Sequence, residues 1–159
     1  MSSTHKKIIV QKQDRDSMNG YVASSSFIVD GKLEMLNTAG NVVGIDLKDV
    51  KSVYFVRDFN ETDLLARKTF TTRPRSAGLW VRLRFKDNEM LEGTMPTDLT
   101  QSPAEGYLIN PPDLRSNTQR IFVPRSALAS FTVLAVVGVQ KRKRRAVAGE
   151  LQERLFEEQ

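Results

Sequence analysis

The chain of 159 residues contains no cysteine. Disulfides, thiolate nucleophiles and cysteine-bound zinc are therefore excluded, and the absence of a disulfide framework favours a cytoplasmic setting. Histidine is reduced to His5, in the N-terminal segment, so a histidine acid/base site or a histidine-rich metal site would need partners that the chain does not have. Long hydrophobic runs are also missing. The longest weakly polar stretch, ALASFTVLAVVGV, covers thirteen residues from Ala127 to Val139. A membrane-crossing helix needs roughly 20, so this stretch reads as a buried strand or two. The opening MSSTHKKIIVQKQ lacks the continuous apolar core of a signal peptide. Nor does the chain carry a P-loop, a dinucleotide fingerprint, a nucleophile elbow or metal-ligand spacing. With only carboxylates and hydroxyls available for chemistry, the expectation is a protein without membrane span, metal or cofactor, and not an enzyme.

What is present is an ordinary globular balance, with 40% hydrophobic and 27% charged residues, so any disorder is expected at the ends. The net charge of +5 is unevenly spread. Residues 1–56 carry seven cations against six anions, residues 57–78 five against three, residues 79–136 six against six, and residues 137–159 six against four. Basic character thus belongs to a connector and a tail, which a partner attracted by charge would meet first.

The stretch KDNEMLEG at Lys86 to Gly93 reworks QDRDSMNG at Gln13 to Gly20. An offset of 73 pairs Ile8 with Val81, Val10 with Leu83, Asp14 with Asp87, Asp16 with Glu89 and Met18 with Leu91, and carries Met35-Leu36-Asn37 onto Leu108-Ile109-Asn110. Beyond the loop containing PPDLRSNTQ the second copy is five residues longer, and an offset of 78 pairs Ile45 with Val123, Val50 with Leu128, Val53 with Phe131 and Phe55 with Val133. So long a period indicates duplicated modules and not a solenoid. In each copy KIIVQKQ or LWVRLRF alternates as a half-buried strand. DRDS or DNE supplies a hairpin turn. MNGYV or LEGTM starts a second strand whose glycine marks a bend or bulge. KLEML or GYLIN is the third strand, NVVGID or QRIFV the fourth. LKDV or RSAL is a single 3₁₀ turn leading into the last strand, SVYFV or SFTVL. The expected fold is all-β: a five-stranded small bent barrel over 5–57, a connector over 58–77, a second such barrel over 78–137, and a basic segment with a short amphipathic helix over 138–159.

VRLRFKDNEMLEGTMPTD, and more loosely IIVQKQDRDSMNGYV, resemble the opening of Sm-like and Src-homology-3-like small barrels, over about 50 residues per copy. The resemblance implies that fold, with RNA binding as an associated property. Of the base-holding pattern of Sm-like proteins, Asn37 and Asn110 stand at the corresponding strand ends, while SSSFIVDGKLEMLN and TDLTQSPAEGYLIN otherwise depart from it. VYFVRDF at Val53 to Phe59 and PPDLRSNTQRIFV at Pro111 to Val123 are similar to stretches of a family of uncharacterised bacterial domains. That resemblance implies a bacterial origin.

Candidate sites follow from charge and position. In the connector RDFNETDLLARKTFTTRPRSAG, Asn60 and Asp63 suit the cap of a short helix through DLLARK. Arg57, Arg67, Arg73 and Arg75 there suit an anionic ligand, while Leu64, Leu65 and Phe70 suit docking on a barrel. The inserted loop offers Asp113, Arg115, Asn117 and Arg120 as a polar site, or as turn-forming side chains. Lys141, Arg142, Lys143, Arg144 and Arg145 are five adjacent cations suited to a nucleic-acid backbone or another anionic partner. Val147, Leu151 and Leu155 make one stripe of the terminal helix, suited to a protein partner. The carboxylate pairs Asp14/Asp16 and Asp87/Glu89 fall in hairpin turns and read as structural. The functional expectation is a non-catalytic interaction module binding a protein partner, or itself, through rim loops and the terminal helix; the alternative is RNA binding anchored by the basic tail.

Overall fold

The structure, a computed structural model, describes residues 5–23, 26–60, 64–65 and 67–138. The chain is mostly β: β1 His5–Lys12, β2 Ser17–Ala23, β3 Ile28–Val29, β4 Lys32–Asn37, β5 Val42–Asp46, β6 Val50–Val56, β7 Gly78–Phe85, β8 Met90–Met95, β9 Gly106–Ile109, β10 Thr118–Pro124 and β11 Leu128–Val137. Single 3₁₀ turns at Leu47–Asp49 and Arg125–Ala127 lead into β6 and β11 as the sequence predicts, and a third lies at Leu99–Gln101. No helix forms among the described residues of the connector, where DLLARK had suggested one. The segment 138–159 lies outside the described residues except for Gly138.

Strand pairing does not give two closed barrels. Eight strands form one open sheet in the order β3-β4-β2-β1-β6-β10-β9, with β5 alongside β4, and β11-β7-β8 form a second open sheet. The junction is the antiparallel pair β6 and β10, with Arg120 opposite Phe55, Ile121 opposite Tyr54 and Phe122 opposite Val53. An open five-stranded unit leaves backbone groups unpaired at its edges; here β6 and β10 satisfy each other's, and the sheet crosses the expected boundary at 57/78.

This junction explains why the middle strands are buried on both faces. Along β1, Ile8 and Val10 join one core with Val50, Val53 and Phe122, while Ile9 joins the other with Tyr54, Val56, Val81, Leu83, Ile121 and Val123. The side-chain period of a strand is two, so successive residues enter opposite cores. The sequence VYFV of β6 is accordingly continuous in apolar character.

The two halves share detailed local geometry. Arg15 and Asn88, 73 apart, both have positive φ (73° and 71°) at the hairpin tips. Asp14 and Asp87 each accept the backbone N–H two residues on, at 3.0 Å. Ile8 lies opposite Phe55 and Val81 opposite Val133, and both ladders shift register at the matching place, after Gln11 and near Ser130. The third strands match at 74 and not at the expected 73. Gly20 backs onto the Leu36 carbonyl and Gly93 onto the Asn110 carbonyl, so closely that a Cβ at either glycine would lie 2.6 Å from that oxygen. One of the five extra residues therefore sits before β9, in the loop from Pro96 to Glu105, and Asn37 and Asn110 are not counterparts.

Candidate functional site

Lys6, Phe55 and Arg120 stand on the same face of three adjacent strands, one period beyond the core residues Ile8, Val53 and Phe122. There the core runs out, and the seam between the halves opens as a cleft of ≈ 390 Å³ lined by Lys6, Phe27, Phe55, Leu108, Gln119 and Arg120. A second hollow of ≈ 390 Å³ shares Phe27, Leu108 and Arg120 and continues past Thr100, Gln101 and Ser102 to Glu105. A small recess of ≈ 50 Å³ adds Pro96 and Asn110 and again includes Leu108 and Arg120. Volumes of this size suit a side chain or a short segment of a ligand.

The floor is aromatic. Phe27 meets Phe55 edge-on at 5.6 Å and Phe122 at 5.2 Å between ring centroids, an arrangement that fixes both rings. Two cations, Lys6 and Arg120, flank it, and the far end carries the carboxylate of Glu105. The rim between them is ordered by its own bonds. Asp98 accepts from the Thr100 amide at 3.1 Å and from its hydroxyl at 2.5 Å, and these bonds hold its carboxyl below the usual aspartate range. The Ser102 hydroxyl accepts from the Leu108 amide at 3.4 Å. Cations beside an apolar floor, with hydroxyls and amides at the rim, suit binding of a group that is partly apolar and partly anionic. Among the described residues no cluster of three His, Cys, Asp or Glu is placed to hold a metal ion.

The residues singled out in the inserted loop do not stay together. Arg120 lies in β10 and faces the cleft. Asn117 is buried, donates to the Asp58 carbonyl at 2.7 Å and accepts from the Asp58 amide at 2.9 Å. Arg57 donates to the carbonyls of Ser116 and Leu114, both at 3.2 Å, and Asp113 accepts from the Arg115 amide at 2.9 Å. Arg57, Asp113 and Asn117 thus form a clasp between the end of β6 and the loop before β10, with Arg115 exposed at its tip.

In the connector, Arg73 donates to the Val136 carbonyl at 3.2 Å, while Arg75 is exposed in the extended stretch before β7. Leu64 and Leu65 pack on the core beside β7 and β8, and Phe70 meets Trp80 edge-on at 6.0 Å. Glu92, 5% exposed, ties this region down: it accepts from the Phe70 amide and Trp80 Nε1, both at 3.2 Å, and from Arg82 at 3.2 and 3.1 Å. Lys141 to Arg145 and the stripe Val147, Leu151 and Leu155 lie outside the described residues.

Lys6, Phe27, Phe55 and Leu108 were not among the sequence candidates for a site. One signal was present: Lys6 is in phase with Ile8 and Val10, and Arg120 with Phe122, so each is a cation on the apolar face of a strand. The approach of Phe27 from the serine-rich segment left no such mark.

No curated protein and no solved structure matches the chain. Residues 4–135, which take in the first ten strands and most of the eleventh, match a family of unknown function, DUF6982, and the chain belongs to that family.

Proposed function

We propose that this protein is a non-catalytic interaction module whose seam cleft takes a segment of a protein partner, an apolar side chain on Phe27 and Phe55 with a neighbouring carboxylate between Lys6 and Arg120. The observation that carries this reading is the pairing of two cations with an aromatic floor where three strands run out of core. The rim loops around Thr100 to Glu105 add further contacts. The sequence stripe Val147, Leu151 and Leu155 is a second contact in this reading. The test is selection of peptides from a random display library on the full chain. Enrichment of segments with an aromatic or aliphatic residue beside Asp or Glu is expected, with binding weakened about tenfold or more by Arg120→Glu, a loss on the scale of one charge-assisted contact, and unchanged by Arg115→Ala. Peptides indifferent to both Arg120→Glu and Lys6→Glu would overturn it.

The matching hairpin tips, ladder shifts and glycine positions support a duplication of one small-barrel unit, and the strand succession within each unit supports kinship with Sm-like barrels. RNA binding is the second reading. It is favoured by an aromatic surface in which Tyr107 stacks on Phe131 at 4.0 Å with the Arg125 guanidinium 5.8 Å from the Tyr107 ring, a combination suited to an unpaired base. Anisotropy of a labelled single-stranded RNA at low and moderate salt tests it. Binding that survives moderate salt and falls with Tyr107→Ala supports it, and no binding of the full chain sinks it.

A further inference from the structure

The contact between the halves is heterologous: the fourth strand of the second half, β10, lies against the last strand of the first half, β6. The corresponding strands on the outside of the molecule are β5, which precedes the 3₁₀ turn of the first half as β10 precedes that of the second, and β11, last strand of the second half. Among the described residues each is paired on one side only, β5 with β4 and β11 with β7. We propose that copies of this chain associate head to tail by adding β11 of one copy to β5 of the next, repeating the β6 to β10 contact. This surface is distinct from the seam cleft, and the proposal does not depend on the reading of that cleft.

Three observations converge on it. Moving the internal register by 78 residues puts Val42 opposite Val133, Val43 opposite Thr132 and Gly44 opposite Phe131. Val42 is 71% exposed and Val133 50% exposed, so the shift brings two large apolar side chains that now face water directly against each other. β11 is also ten residues long, LASFTVLAVV, without a charged residue or proline. Long uncharged edges are the ones that natural proteins cover. The Arg73 bond to the Val136 carbonyl guards only its last turn of sequence, beyond the stretch that would pair.

The side-chain clasps of the internal seam are not repeated. Arg57 and Asn117, and Lys51 of β6, which pairs with Asp87 and Glu89 of the β7–β8 hairpin, correspond at the outer edges to Ala135, Ala39 and Ala129. The contact between copies therefore rests on strand hydrogen bonds and the valine pair, and is reversible and concentration-dependent where the internal seam is permanent. A heterologous contact of this kind closes into a ring or continues as a filament, according to the rotation it imposes.

The absence of native cysteine allows a direct test with the full chain. A Val42→Cys chain mixed with a Val133→Cys chain under mild oxidation is expected to form a covalent heterodimer, because directly opposed strand residues reach disulfide distance. Neither variant alone should cross-link, and the double variant should give a ladder of multimers. Val42→Cys mixed with the out-of-register Val136→Cys should not react. Sedimentation of the unmodified chain is expected to show mass rising with concentration. Equal cross-linking in single and mixed samples would mean a two-fold contact and overturn the proposal. So would a monomer at every concentration with no cross-link, or protection persisting in a monomer at those amides of residues 131–134 that point away from β7, which would assign the edge to the chain's own C-terminal residues.

Discussion

Glu92 shows what a single buried charge does here. It collects donors from Phe70, Trp80 and Arg82, so one carboxylate binds the connector to the β7–β8 hairpin. Glu92→Ala is expected to lower stability by about 1–3 kcal/mol, the cost of leaving the Trp80 and Phe70 N–H groups unsatisfied, since Arg82 is free to turn to water. Trp80 is the lone tryptophan, so urea unfolding followed by its emission reads both the midpoint and a red shift as Phe70 lifts away. An unchanged midpoint and spectrum would refute this role. A second charge group gives a pH dependence. Lys51 of β6 meets Asp87 at 2.7 Å and Glu89 at 2.8 Å across the seam. Burial pulls the Lys51 pKa down, but hydrogen bonds and attraction from the two carboxylates outweigh it and leave a net rise; the bond from Lys51 chiefly lowers that of Asp87. The Asp87 contribution is thus complete above the ordinary aspartate value of 3.8 and lost as pH falls through its lower folded value. The Lys51 contribution is complete below 10.5 and lost as pH climbs through its higher folded value. Lys51→Met should therefore flatten both limbs of the stability profile, by about 1 kcal/mol or less on the acid side because the carboxylates are half exposed. Unaltered limbs in denaturant titrations across pH would count against the link. The carboxylate turn was legible from Asp and Asn chemistry, whereas Glu92 was not, because in LEGTM it reads as an outward residue of an alternating strand and only the folded connector covers it.

At the scale of elements, hairpins and the 3₁₀ turns before β6 and β11 follow from local residue chemistry and fall where the spacing predicts, while the turn at Leu99–Gln101 was not read from it. The glycines were also located, but their reason differs from a bend. A Cβ on Gly93 would lie 2.6 Å from the Asn110 carbonyl oxygen and 2.9 Å from Ile109 Cδ1, so glycine is required by close approach of the third strand. Gly93→Ala is expected to cost about 1–3 kcal/mol by overpacking. Gly44→Ala, whose Cβ would meet only Lys32 Cδ at 3.7 Å, should be neutral to within the usual surface range. Thermal denaturation of the two variants decides this, and equal melting points would contradict it. The connector helix predicted from DLLARK does not form among the described residues. There the apolar side chains serve tertiary docking, with Leu64 and Leu65 on the core and the Leu64 carbonyl taken by the Thr118 hydroxyl.

For the whole molecule the consequence is interdependence. Phe122 of β10 is fully buried in a core whose other buried residues come from the first half, and Ile9, Tyr54 and Val56 enter the core of the second. Unfolding is therefore expected to be a single transition, with Trp80 emission, a second-half probe, coinciding with far-UV circular dichroism. Phe122→Ala should shift both by the same amount, about 3–5 kcal/mol for a truncated buried phenylalanine. Two separated transitions would show the halves to be independent after all. The sequence by itself determined every strand but the two-residue β3, the hairpin tips and the 3₁₀ turns before β6 and β11, because alternation and turn chemistry act over a few residues. Tertiary structure alone decided that β6 pairs with β10, that open sheets replace closed barrels, and that Lys6 and Arg120 flank one aromatic floor. Those outcomes depend on which unpaired strand edge satisfies which, and many strands of similar apolar pattern present the same backbone groups until packing selects among them.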